Sequence, residues 1–159
     1  MKTRSFTIAA LTLLAGVSGC SGALSSAPGI SAQGAPETLA DARERWRASQ
    51  IGDYQITVQQ SCFCLQEFTQ PLRITVRDAR VVSVAGLTQP LTQPDQLDRS
   101  RLTVEGLFDF IADAQRRQVE RLDVSYHPQY GYPSEIAYDG HAMIADDEIS
   151  YRLSDLVPE

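Results

Sequence analysis

Five short stretches of this chain alternate apolar and polar residues, and that period of two constrains the fold more than any other feature. Tyr54, Ile56 and Val58 alternate with Gln55, Thr57 and Gln59, and Leu72, Ile74 and Val76 with Arg73, Thr75 and Arg77. Leu122-Val124-Tyr126, Ile136-Tyr138 and Ile149-Tyr151-Leu153 repeat the pattern, and residues 80–85 follow the second stretch as the return strand of a tight hairpin. Successive side chains of a strand point to opposite faces, so each stretch reads as a strand with one face buried. Most connections between them are of hairpin length, which requires antiparallel pairing.

Two segments carry the period of a helix instead. Leu39, Ala42 and Trp46 follow Pro36 and Glu37, which predicts an amphipathic helix of about 13 residues stopping at Gly52. Thr103 can cap a second helix whose buried face is Val104, Leu107, Phe108 and Ile111. The element order is α-βββ-α-βββ, so the expected fold is α+β: an antiparallel sheet of about six strands with both helices on one face. Each half reads as a helix and then strands, a hint of internal duplication without a residue-level repeat. Residues 89–101 hold two prolines and little periodicity and are expected to form a loop. Asp78-Ala79 is a hairpin turn lacking the Gly that a type I′ turn prefers at its second position, which implies strain or another turn type.

The ends bound where such a domain works. Lys2 and Arg4 precede an apolar stretch over residues 6–17 that is too short to span a bilayer, which takes about 20 apolar residues. It ends in Val17-Ser18-Gly19-Cys20, which resembles the lipobox of bacterial lipoproteins. Residues 1–19 are therefore expected to be a signal peptide, and Cys20 the site of a covalent lipid. Residues 21–35 carry no charge and are mostly Ser, Gly, Ala and Pro, a flexible tether reaching roughly 20 Å. Residues 36–159 form the single folded domain. Ser21 after the lipidated cysteine resembles the sorting pattern of Gram-negative lipoproteins held at the outer membrane, facing the periplasm.

Composition excludes some functions. Loss of Lys2 and Arg4 takes the formal charge from −6 to −8 and leaves no lysine, which removes lysine-based Schiff-base chemistry. An acidic domain does not suit a phosphate backbone, and Arg116, Arg117 and Arg121 read as the solvated end of a helix, so no nucleic-acid partner is expected. Asp139 and the run Asp146-Asp147-Glu148 lack the spaced ladder of a calcium loop and read as a solvated turn. No glycine-flanked serine elbow or other catalytic motif is present, so the domain is expected to be non-enzymatic, with no cofactor beyond the lipid.

Cys62-Phe63-Cys64 is the most informative pair inside the domain. Both sulfurs fall on the strand face of Tyr54, Ile56 and Val58. Two leftover cysteines in an oxidising compartment favour a disulfide. An extended strand holds such α-carbons roughly 6.6 Å apart, near the limit for a bridge, so closure requires a bend. A structural disulfide leads; a reducible redox bond, two free thiols, and a metal site completed by His127 or His141 remain alternatives. His127 falls on the polar face of its strand and reads as a surface residue. Tyr126, Tyr130, Tyr132 and Tyr138 flank one turn; Tyr126 and Tyr138 read as core with Tyr130 and Tyr132 covering the hairpin, while Tyr130, Gly131, Tyr132 and Pro133 are also the candidate contact surface.

Trp46, Asp53-Tyr54, Cys62-Phe63-Cys64, Leu107-Phe108, Tyr126-His127-Pro128, Gly131-Tyr132-Pro133 and Asp146-Asp147-Glu148 together resemble a bacterial lipoprotein family known as domain of unknown function 6174. The resemblance runs from about Leu39 to Val157. It implies a secreted or membrane-tethered bacterial domain and brings no activity with it. The functional expectation is a tethered cell-envelope module that binds an envelope protein or cell-wall component through the sheet or the tyrosine turn. The other is thiol redox or metal handling through Cys62 and Cys64.

Overall fold

The computed structural model describes residues 34–144 and 146–159. The expected signal peptide, Cys20 and all but the last two residues of the tether lie outside the described residues. The elements run α1 (Leu39–Ala48), β1 (Tyr54–Cys62), β2 (Leu72–Arg77), β3 (Arg80–Gly86), α2 (Val104–Arg117), β4 (Arg121–Tyr126), β5 (Pro133–Asp139) and β6 (Ile149–Pro158). All six strands join one antiparallel sheet in the order β3-β2-β1-β6-β5-β4. The α+β reading, its strand count and its element order are those of the structure.

One face of the sheet is dry. Tyr54, Ile56, Val58, Leu72, Ile74, Val76, Ile136, Tyr151 and Leu153 are buried there against Ala42 and Trp46 of α1 and Leu107, Phe108, Phe110 and Ile111 of α2. The opposite face carries Gln59, Ser61, Arg121, Asp123, Ser125, Glu135, Ser150 and Arg152. The alternation in the sequence is this division, inward residues joining the core and most outward ones meeting water, with Thr57 of β1 outward yet buried.

The helix ends follow local chemistry. Thr103 caps α2, its side chain accepting from the Gly106 amide at 3.0 Å. The first helix begins later than Pro36 suggests, because Thr38 accepts from the Asp41 amide and serves as the cap. It ends at Ala48 with Ser49 as its cap, and the left-handed residue just beyond is Gln50 (φ 54°) rather than Gly52. The β2–β3 hairpin turns on Asp78 and Ala79, both with positive φ (48° and 58°), so the type I′ form is kept without its glycine. Asp53 stabilises it by accepting from the Asp78 amide at 3.0 Å.

The strand directions oppose an internal duplication. Both halves have the same lateral order, 3-2-1 and then 6-5-4, yet β1 and β4 run in opposite directions. Superposing the halves would carry the second helix to the other face, whereas both helices share one core. Among the described residues, no helix is long and apolar enough to cross a membrane.

Candidate functional site

β1 starts in the core and runs out of it. Its last pair with β6 is Cys62 opposite Ile149, after which the chain bends sharply through Phe63 and Cys64. The bend brings the two α-carbons to 5.3 Å and the sulfurs to bonding distance, 1.99 Å. Contraction below the extended-strand spacing is what a bridge between such close neighbours demands. The pair does not lie in the core, as its strand face suggests. Cys62 is half-buried and Cys64 exposed, because both helices lie over the earlier part of β1. Phe63, at the tip of the ring, is 87 % exposed.

Beside the ring lies a cleft of about 600 Å³, within the size range of ligand sites. One wall is the ring itself with Leu65 and Phe68, from the 3-10 turn Gln66–Phe68. The floor is Ile149 and Tyr151 of β6, and the far wall is Gln96, Leu97, Asp98 and Arg101 from the long connection to α2. That connection holds its place through two side chains of the β1–β2 loop. The Glu67 carboxylate accepts from the Thr92 amide and hydroxyl and from the Gln93 amide, at 2.7 to 2.8 Å, bonds that hold its pKa below the ordinary carboxylate value. Gln70 accepts from the Thr88 and Gln89 amides and donates to the Gln89 carbonyl.

The cleft has one polar arm. Arg101 pairs with Asp98 (3.2 Å), lies 4.7 Å from the centre of the Phe110 ring, and sits near the Tyr151 hydroxyl. Burial raises the pKa of that phenol, and the guanidinium opposes the shift. On the other side of Cys62 and Phe63 is a shallower hollow of about 370 Å³ that includes Arg121, Asp139 and Glu148. A third, about 510 Å³, lies on the open sheet face, where Arg121 pairs with Asp123 (2.6 Å) and Arg152 with Glu135 (3.2 Å). Its Arg–carboxylate pairs are satisfied and its one aromatic, Tyr151, is buried, so the cleft at the ring, with Phe63 exposed at its rim, is the better-formed site. Arg116 and Arg117 share Asp113 at 2.9 and 2.7 Å.

The turn expected as a contact surface faces inward. Gly131, Tyr132 and Pro133 are buried, and only Tyr130 reaches solvent in part. Gly131 has a φ of 78° and lies so close to α1 that a Cβ there would stand 2.6 Å from the Ala42 carbonyl oxygen. Tyr132 stacks on His127 at 4.6 Å and Tyr130 at 5.5 Å. His127 is therefore no simple surface residue. Its Nδ1 accepts from the Gln129 and Tyr130 amides, each at 3.3 Å, and burial lowers its pKa. These residues build a turn that seats α1.

Trp46 has a structural role as well. Its indole donates to Glu105 Oε1 at 2.8 Å and packs edge-on against Tyr54, at 5.4 Å between ring centres. The Tyr54 hydroxyl donates to Glu105 Oε2 and accepts from the buried Val104 amide at 2.9 Å. Burial, with the Glu105 charge beside it, strongly raises the Tyr54 pKa.

Among the described residues, no group of three or more His, Cys, Asp or Glu side chains gathers as metal ligands would. Sequence reasoning missed Phe63 as an exposed anchor, and it missed the far wall of the cleft. The first left a signal: strand parity turns Phe63 away from the face of its neighbouring cysteines.

No curated protein and no solved structure matches the chain. Residues 38–158 match the Family of unknown function (DUF6174), from the cap of α1 to the last residue of β6. The chain belongs to that family.

Proposed function

We propose that this is a lipid-tethered, non-enzymatic domain of a bacterial cell envelope that binds an envelope protein or cell-wall component through Phe63 and the cleft beside it. The observation that carries the reading is Phe63, a large aromatic side chain left 87 % exposed and held on a three-residue ring. Aromatic anchors on rigid supports supply much of the energy of protein contacts, and their exposure is otherwise unfavourable. The lipid anchor rests on Val17-Ser18-Gly19-Cys20 and the uncharged tether behind it. Ser21 supports the outer membrane, with the domain facing the periplasm of a Gram-negative cell.

A photo-crosslinking residue at position 63 of the full chain, expressed in its own cells, tests the contact. A discrete product is expected from position 63 and none from position 82, where Val82 is exposed on β3. Equal products from both, or none from position 63, would sink the reading. In the same cells Cys20→Ser should move the chain from the membrane to the soluble fraction. Thiol redox remains the second reading, favoured by the exposure of Cys64. Metal handling has less support, since no third ligand approaches the pair among the described residues.

A further inference from the structure

We propose that the Cys62–Cys64 disulfide exchanges with the thiols of an extended polypeptide seated in the cleft beside it. The inference rests on the reading of this end as a contact surface and joins the thiol-redox reading to it: the pair reacts once as a stoichiometric oxidant, not as a catalyst.

Three observations converge. The bond closes a ring of only three residues, so opening it frees very little chain. The two sulfurs are unequal, since Cys64 is exposed whereas Cys62 is half-buried and paired with Ile149 in the sheet. An incoming thiolate therefore reaches Cys64 first, and attack on an accessible sulfur is what makes a disulfide labile. The cleft runs along the same ring, with Phe68, Leu97 and Tyr151 as its apolar walls and Phe63 at its rim. It seats one or two apolar side chains of a neighbouring segment within reach of the sulfurs.

The exchange balances without any further reagent. A substrate thiolate attacks Cys64 Sγ and the Cys62–Cys64 bond breaks. Its electron pair leaves on Cys62 Sγ, which takes up a proton, and the substrate is held by a mixed disulfide to Cys64. A second substrate thiol loses its proton and attacks the substrate sulfur of that bond. Cys64 leaves as a thiolate and is protonated. The substrate dithiol is oxidised by two electrons, the cysteine pair is reduced by two, and two protons pass from the first pair of thiols to the second.

The test uses the oxidised full chain in detergent and a reduced peptide with two cysteines set among Leu and Phe. The comparators are a peptide with the same cysteines among Gly and Ser, and the oxidised tripeptide Cys-Phe-Cys in place of the protein. The protein is expected to oxidise the apolar peptide at least about tenfold faster than the Gly/Ser peptide, a difference of about 1.4 kcal/mol. It should also outpace the free tripeptide, and Phe63→Ala should remove the preference. With the oxidised apolar peptide, Cys62→Ser should form a mixed disulfide about tenfold faster than Cys64→Ser. No preference over the tripeptide, or faster capture by Cys62, overturns the proposal. Binding of a cysteine-free apolar peptide, followed by fluorescence anisotropy, separates the two failures. Binding without exchange defeats the exchange alone, and the absence of both defeats the contact reading with it.

Discussion

β1 has two ends, and they are secured in opposite ways. At the first, Tyr54 is fully buried, its hydroxyl is hydrogen-bonded to Glu105 and the Val104 amide, and Trp46 donates to the same Glu105 carboxylate. At the second, a covalent bond joins residues two apart, and its outer half stands in water. Intuition ranks the covalent bond higher, yet leverage depends on what each bond holds. Buried polar groups carry the full cost of losing their partners, so the knot couples two helices and a strand. A disulfide stabilises by restricting the unfolded chain, and a three-residue loop restricts little of it. The fold is held at the buried end, which leaves the exposed end available for surface chemistry.

Substitutions rank the two ends directly. Trp46→Ala removes the aromatic that docks α1 and should cost about 3–5 kcal/mol in denaturant unfolding. Tyr54→Phe keeps the ring but strands the Val104 amide and removes a donor to Glu105, and should cost about 1–3 kcal/mol. Changing Cys62 and Cys64 together to serine should cost roughly 1.6 kcal/mol, against about 3 for a 15-residue loop, with the fold intact by circular dichroism. A loss larger than that of Trp46→Ala would invert the comparison.

Smaller again is a pH effect at the turn beneath α1. Burial sets the His127 pKa below its ordinary 6.5, so the unfolded chain binds the proton first. Stability is full above that value and falls as the pH drops below it. Melting temperatures taken from about pH 7.5 down to about 5.5 should fall more in the wild type than in His127→Gln. The smallest change belongs to Phe63→Ala, within about 0.5 kcal/mol of wild type in unfolding, because that ring touches little else.

The strands were legible because each has one wet face, so Leu72-Ile74-Val76 and Ile149-Tyr151-Leu153 announce themselves by period alone. The bend at Cys62 was legible from distance, since the extended spacing lies near the limit for a bridge. The cleft was not. Its far wall comes from a loop without period, in which Leu97 and Leu102 are buried by tertiary contacts rather than by local pattern. What holds that loop is Glu67, whose partners Thr92 and Gln93 lie 25 and 26 residues along the chain. The tyrosine turn misled for a related reason. Strand parity ends near Tyr126, and an extra residue at Ser134 shifts the register of β5, so an outward reading does not carry past the strand. Nothing in Tyr130-Gly131-Tyr132-Pro133 itself reveals that α1 lies against it.

The central pair of the sheet also sets the order of events as the chain matures. Of the described strands, β1 is made first and β6 last, and Tyr54 pairs with Pro158 across 104 residues. The meander of β1, β2 and β3 can form early, but it then waits with an open edge on β1 until nearly all the chain has arrived. The second meander meets the same delay in reverse, as β6 finds its partner already formed. Such late, distant pairing slows folding and leaves strand edges open to wrong partners in the interval. A nascent molecule of this kind is exposed to its neighbours until β6 is in place.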